Sequence, residues 1–282
     1  MPPKTWKRFI KNIKIVHREA IIGLFFLLVI TPGFTKLLAL KPSTNFIDVI
    51  AFGFIFEFYV YFNFAGYSLL ARSLMRLFGF YAPLNFKQPF GARSVVEYWQ
   101  RWHISLGNVL RGLFFYPLKK NYGAWVAVMA TFLSSALWHG ITFNFLLWGL
   151  FQGAVWSASR ALFLNRAPAY LQLVLLVFAI AFGRILFSES NPEILLEKLL
   201  SPVSPAHNDM LLVDILATLG NSEAFKLVAA AIWVATEVIA TKYSVKTQRY
   251  TLFKLPATSC AILAITVLFA GAGGANAVYG AR

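Results

Sequence analysis

Residues 131–153 read TFLSSALWHGITFNFLLWGLFQG, two apolar runs separated by the short connection HGITFN (139–144). Neither run has the polar face that a surface helix of a water-soluble domain carries. Runs of about 20 apolar residues match the hydrocarbon thickness of a bilayer, where a helix satisfies its own backbone groups. The stretch therefore reads as the turn of a helical hairpin within a membrane, with His139 and Asn144 at the join.

The rest of the chain agrees. Of 282 residues, 59% are hydrophobic, 17% aromatic and only 13% charged, against about 25% charged in ordinary soluble proteins. The fold class is all-α, a polytopic transmembrane helical bundle with about seven spans, plus re-entrant or interfacial helices. The apolar runs lie near 20–40, 47–69, 122–140, 142–163, 169–187, 224–241 and 255–272. Pro32 and Gly33 interrupt the first and predict a kink there. Cys260 is the single cysteine, so no disulfide forms within the chain. The basic start, Lys4 to Arg18, precedes an apolar run without a small-residue cleavage site, which reads as a retained first span.

Basic residues orient the chain, because cytoplasmic loops collect Lys and Arg. With residues 1–19 as a basic cytoplasmic tail, the segment from about 70 to 121 is also inside. It holds Arg72, Arg76, Lys87, Arg93, Arg101, Arg111, Lys119 and Lys120 against Glu97 alone. Arg160 and Arg166, then Lys242, Lys246, Arg249 and Lys254, fall in the next inside loops. Residues 188–223 form an outer acidic loop with Glu189, Glu193, Glu197, Asp209, Asp214 and Glu223 opposed by Lys198. The net charge of +15 is read as inside-loop attraction to acidic headgroups of the lipid bilayer, not nucleic-acid binding. Within the outer loop, NPEILLEKLLSPVSP predicts a short amphipathic helix with Ile194, Leu195, Leu199 and Leu200 on one side, either surface-lying or a lid. The spans 224–282 close a single integral membrane domain, 1–282.

Four histidines are present. His17 lies in the basic tail and His207 in the outer loop, both in solvated surroundings. His103 and His139 stand beside tryptophans in apolar sequence, where an ionisable group needs a partner or a task. A neutral imidazole at His139 could take a proton from an incoming hydroxyl group or could make a structural interhelical hydrogen bond. Its small neighbours Ser134, Ser135, Ala136 and Gly140 permit close helix approach or a substrate tunnel. His103 sits in VVEYWQRWHISLGNVLRGLFFYPL (95–118), with Arg101 and Arg111 near it. Those guanidinium groups could hold a carrier's phosphate bidentately, or, with Trp99 and Trp102, anchor the segment at the headgroups. No phosphate-binding glycine loop, metal-ligand spacing or carboxylate pair accompanies them. Glu57 and Glu237 are isolated acids on apolar helices, either proton-relay groups or acids satisfied by a neighbouring hydroxyl or amide.

Four motifs occur in order between Phe56 and Gly153: GYS within an aromatic helix, GF-x-x-P-x-NF-x-x-PF in a loop, YW-x-RWHISL-x-x-x-LR in a helix, and LWHG before F-x-x-WG. Together they resemble the membrane-bound O-acyltransferase family, in particular its bacterial branch of alginate O-acetylation and teichoic-acid D-alanyl transfer proteins. The resemblance implies a ring of tilted helices around a tunnel, with residues 56–153 as the core that carries both motif histidines. It implies a catalytic role for His139 and a second functional role for His103 on the inner side. An acyl group, acetyl or another small one, would pass from a cytoplasmic thioester to a hydroxyl of a cell-surface polysaccharide or related acceptor. No tightly bound cofactor or metal is implied; acyl-CoA or an acyl carrier protein would be the donor substrate. Trp102, Arg101 and Arg111 become candidates for donor contacts, and Trp138 and Asn144 for oxyanion donors.

The chain departs from the family pattern at Asn63 and Leu69, where acids are usual, at Gly112 after the Leu-Arg pair, and at Lys119 and Lys120 in PLKKN. These positions bear on partner docking or acceptor choice. Typical members carry further spans before the matched region, so the chain reads as N-terminally reduced, a fragment or half of a split protein. The expected partners are the carrier on the cytoplasmic side, an extracytoplasmic acyltransferase and a complementing membrane chain. The expected location is the bacterial inner membrane with the N-terminus inside. The competing expectation is a non-catalytic subunit or scaffold of an acyl-transfer or export complex.

Overall fold

The computed structural model describes residues 6–39, 46–161, 167–200, 220–242 and 256–270. His207, Asp209, Asp214, Arg166 and the basic cluster 246–254 lie outside the described residues, as does the side chain of Cys260. Every regular element among the described residues is helical, and four helices are long and apolar enough to cross a membrane: Val16–Leu38, Val49–Leu77, Ala169–Ser188 and Ser222–Thr241. The elements are α1 (Trp6–Phe25), α2 (Thr31–Ala39), α3 (Phe46–Leu77), α4 (Val95–Arg101), α5 (Ile104–Leu110), α6 (Tyr116–His139), α7 (Phe143–Ala161), α8 (Ala169–Ser188), α9 (Pro192–Leu200), α10 (Asn221–Lys242) and α11 (Pro256–Ala270). They form two compact units: residues 1–40, 58–87 and 216–282, and residues 41–57 and 88–215.

In the first unit, α1 continues into α2 through one turn of π-helix, Phe26–Ile30. The turn lies just before Pro32, which has no N–H to continue the ladder and crowds the preceding turn. The Thr31 hydroxyl and N–H both donate to the Phe26 carbonyl, the hydroxyl at 2.8 Å, so the predicted interruption is present and that carbonyl is satisfied. Phe26 packs edge-on against Phe62 and Trp233, at 5.0 and 4.7 Å between ring centroids. Glu237 accepts from the Tyr61 hydroxyl and, at 3.0 Å, from the Trp233 indole N–H. Arg72 and Arg76, counted above as loop cations, both pair with the buried Glu19, at 2.5 and 2.9 Å.

The second unit carries both motif histidines. Its α6 is broken at Gly123, whose φ of +84° is accessible to glycine and strained for any other residue. The break coincides with the expected start of the span at 122. α6 and α7 form the hairpin predicted from residues 131–153. They are less apolar than the four helices above, because Lys119, Lys120, Asn144 and Gln152 lie along them. Gly149 on α7 lets the chains touch: a Cβ there would stand 2.9 Å from the Ala136 Cβ and 3.0 Å from the Phe132 carbonyl oxygen. α8 packs on α7, and Val49, Ala136, Trp148, Ile185, Leu186 and Leu195 form the core.

The amphipathic helix expected in residues 191–205 appears as α9, capped by Asn191, whose side-chain oxygen accepts from the Glu193 N–H at 2.9 Å. Its apolar face divides. Leu195 is buried and Leu199 packs against the same core, whereas Ile194 and Leu200 are exposed. Neighbouring positions on a helix differ by about 100°, so a single contact face cannot bury all four residues.

Gly149→Val places side-chain atoms where even a Cβ would stand closer than van der Waals distance to its neighbours. It should cost about 1–3 kcal/mol, read as a lower unfolding temperature of the purified protein in detergent, while Gly112→Ala, with open space around its α-carbon, should leave that temperature nearly unchanged.

Candidate active site

The segment 95–118, expected to include one helix carrying the RWHIS motif, is instead a corner. Ser94 caps α4 by accepting from the Glu97 N–H at 3.2 Å, and Glu97 in turn accepts from the Arg93 N–H at 2.8 Å. After seven residues α4 stops. Trp102 is extended (φ −98°, ψ 134°) and His103 adopts the left-handed conformation (φ 43°, ψ 53°) before α5 begins. The His103 carbonyl then accepts from the Gly107 N–H at 3.0 Å. Left-handed geometry costs a residue other than glycine about 1–2 kcal/mol, and such strain concentrates at functional sites.

His139 ends α6, where the Gly140 N–H closes the last turn on the Ala136 carbonyl at 3.1 Å. Four aromatic rings surround its imidazole: Trp138 and Phe187 at 4.9 Å, Trp148 at 5.7 Å and Phe145 at 5.8 Å between centroids. Trp138, 60% exposed, also meets the His103 ring edge-on at 5.7 Å. The two histidines, 36 positions apart in sequence, thus share one indole. Burial lowers His103 to about 4, so its imidazole is neutral at pH 7 and presents one donor and one acceptor nitrogen.

The other expected site residues are placed less uniformly. Trp102 is buried, stacked on Tyr98 at 5.5 Å. The Arg101 guanidinium pairs with Glu97 at 2.5 Å and donates to the Gln88 carbonyl at 3.3 Å, which fastens α4 to the preceding loop. Arg111 donates to the Asn108 side chain at 2.6 Å on an exposed surface. Asn144 is buried; its amide accepts from the Thr142 hydroxyl at 2.6 Å and donates to the Phe187 carbonyl at 3.2 Å. It thereby joins the start of α7 to the end of α8, beside the ring that packs on His139.

Beneath the histidines lies a polar cluster that sequence reading missed as a unit. Glu57 on α3 is ion-paired with Arg184 on α8 and accepts from the Tyr98 hydroxyl at 2.5 Å. Glu57 and Arg184 are 1% and 7% exposed at their side chains. Burial and the neighbouring carboxylate raise the Tyr98 hydroxyl well above its usual value, so it stays protonated and donates. A narrow cavity of about 10 Å³ lies beside the cluster, with Trp99, Trp148 and Gln152 on its other walls. Gln152 accepts from the Trp99 indole N–H at 3.3 Å and donates to the Ala179 carbonyl at 3.0 Å. The available signal was Arg184 alone in an otherwise apolar run, which requires a buried acid somewhere else in the chain.

A family model, described as MBOAT, the membrane-bound O-acyltransferase family, matches residues 34–182. The chain belongs to this family. Three relatives are each similar over part of the chain. A Pseudomonas aeruginosa protein named "Probable alginate O-acetylase AlgI" is 34% identical over 142 residues, covering 48% of this chain and 27% of the relative. A Helicobacter pylori peptidoglycan O-acetyltransferase is 32% identical over 133 residues, 46% of this chain and 24% of the relative. A Streptococcus thermophilus teichoic acid D-alanyltransferase is 33% identical over 111 residues, 36% of this chain and 27% of the relative. The chain thus matches about a quarter of the length of these relatives. Within this membrane-bound O-acyltransferase chain, the matched region contains α4, α5, α6, α7 and both histidines.

Two measurements test the corner. His103→Gly should be more stable than His103→Ala by about 1 kcal/mol, since glycine adopts the left-handed conformation freely. Because the folded-state pKa of His103 lies below the unfolded value, the unfolded chain takes up a proton that the folded chain refuses between pH 6.5 and about 4. Stability should therefore fall as pH drops through that window. His103→Gln should flatten the dependence, as followed by thermal unfolding across pH.

Proposed function

We propose that this chain is the catalytic part of a membrane O-acyltransferase. The observation that carries the reading is the convergence of His103 and His139 on the Trp138 ring, in a chain of this family. His139 removes the proton from an acceptor hydroxyl as its oxygen attacks the carbonyl carbon of an acyl thioester. The carbon–sulfur bond breaks, and the sulfur leaves as a thiol with the proton that His139 took up. His103, neutral and half-buried, positions or polarises the thioester carbonyl from the cytoplasmic side. Arg111, on an exposed surface, is the better placed of the two arginines for a donor phosphate, since Arg101 is engaged with Glu97 and Gln88.

The names of the relatives support a small acyl group and a cell-envelope acceptor, a polysaccharide or a related polymer. The donor in this reading is acyl-CoA or a carrier protein. An extracytoplasmic acyltransferase and a complementing membrane chain act as partners. The chain forms one integral domain of about seven spans in the inner membrane, its helices ringed around an acyl-transfer tunnel, with the N-terminus inside. The second reading, a non-catalytic subunit, is favoured by the internal hydrogen bonds that occupy Arg101 and Asn144, two of the groups proposed for substrate contacts.

Acyl transfer by the purified chain, with its partners supplied, separates the two. His139→Ala should lower the rate about 10²–10⁴-fold, the range for loss of a general base; a rate unchanged by that substitution establishes the scaffold reading instead. Orientation is tested by single cysteines in a Cys260→Ser background. Ser190→Cys should react with a membrane-impermeant maleimide on intact cells, and Lys120→Cys only after permeabilisation.

A further inference from the structure

Arg184 is an expensive residue where it stands. A guanidinium buried in an apolar helix loses most of its hydration, and an ion pair with Glu57 returns that cost only in part. Two apolar side chains of similar volume would fill the space with no desolvation at all. Some property of the arginine other than packing therefore accounts for it, and its contacts identify that property.

The Arg184 guanidinium carbon lies 4.8 Å from the Trp102 ring centroid and 5.5 Å from that of Phe187. Each ring supports one histidine. Trp102 immediately precedes His103 and is the extended residue that sets up its left-handed backbone. Phe187 stands edge-on to His139 at 4.9 Å and 83°, and its carbonyl is held by Asn144. One cation thus donates to Glu57 and lies over two aromatic rings, a combination for which the planar guanidinium is better suited than a lysine ammonium. Glu57 fixes the cation, and Tyr98, which hydrogen-bonds Glu57 and stacks on Trp102, closes the arrangement from the other side.

We infer that Arg184, oriented by Glu57, is a positioning residue that sets the geometry of His103 and His139 together. Its catalytic consequence rests on the acyltransferase reading above; its structural consequence does not. Arg184 reaches the two histidines through Trp102 and Phe187, and its charge also acts on His139 directly.

The test uses the full chain in lipid nanodiscs, with Arg184→Lys, and Glu57→Leu combined with Arg184→Met. The double variant removes both charges at once, a change that buried ion pairs often tolerate without loss of stability, so it remains informative if Arg184→Lys does not fold. The direct readout is site-resolved hydrogen–deuterium exchange at the imidazole C2 position, with His17 as internal reference. Exchange at both His103 and His139 should change by about threefold or more, the effect of a shift of half a pKa unit, with His17 unaffected. The second readout is acyl transfer, where kcat should fall by about 10²-fold, as for a displaced catalytic group, with KM nearly constant. Folded variants in which either histidine keeps its wild-type exchange rate overturn the inference. So does an unchanged kcat in a preparation that His139→Ala inactivates. If both histidines respond while His139→Ala transfers acyl groups at the wild-type rate, positioning is upheld and the catalytic reading is the one that fails.

Discussion

The Glu57–Arg184 ion pair is the constraint on which the second unit depends. Each charge is inadmissible alone in an apolar interior, so α3 and α8 must meet where these residues meet, and α4 must bring Tyr98 to the same place. Satisfying that requirement seats Trp102 and Phe187 against the guanidinium. Phe187 packs on the His139 ring, and Trp102 immediately precedes His103. Electrostatics thereby determines a packing arrangement that apolar residues, which attract without direction, would leave open to sliding.

A second constraint is the hairpin of α6 and α7. Its helices touch at Gly149 and Ala136, and small residues at such contacts permit the close approach that substitutes for a hydrophobic driving force in lipid. The hairpin places His139 at the turn, next to the start of α7 and the end of α8. There Asn144 contributes a hydrogen bond to the Phe187 carbonyl, not a free donor. Trp138, more than half exposed, is the group that connects this turn to the corner at His103. A ring edge can meet two imidazoles at once, which makes the indole a common wall of the proposed reaction site.

Much of this was legible before the structure. The hairpin, the loop between Gly79 and Phe90, the interruption before Pro32 and the amphipathic helix after Asn191 follow from local rules of apolarity, glycine, proline and capping. The expectation that Glu57 and Glu237 find a neighbouring hydroxyl holds in both cases, through Tyr98 and Tyr61. What stayed illegible was long-range: nothing local in the run around Arg184 points to a partner 127 positions earlier. The corner at His103 was also hidden, because a helical pattern of apolar residues continues across it and the left-handed residue is not a glycine.

The sequence by itself determined that the chain is helical and membrane-embedded, which four motifs it carries, and hence its family, since these depend on composition and on residues close together in the chain. Only the tertiary structure decided that His103 and His139 share Trp138, that Arg101 and Asn144 are held by internal partners, and that Arg184 stands behind both histidines. Those are outcomes of which buried polar groups find one another, and burial makes an unpaired group costly enough that the fold must choose.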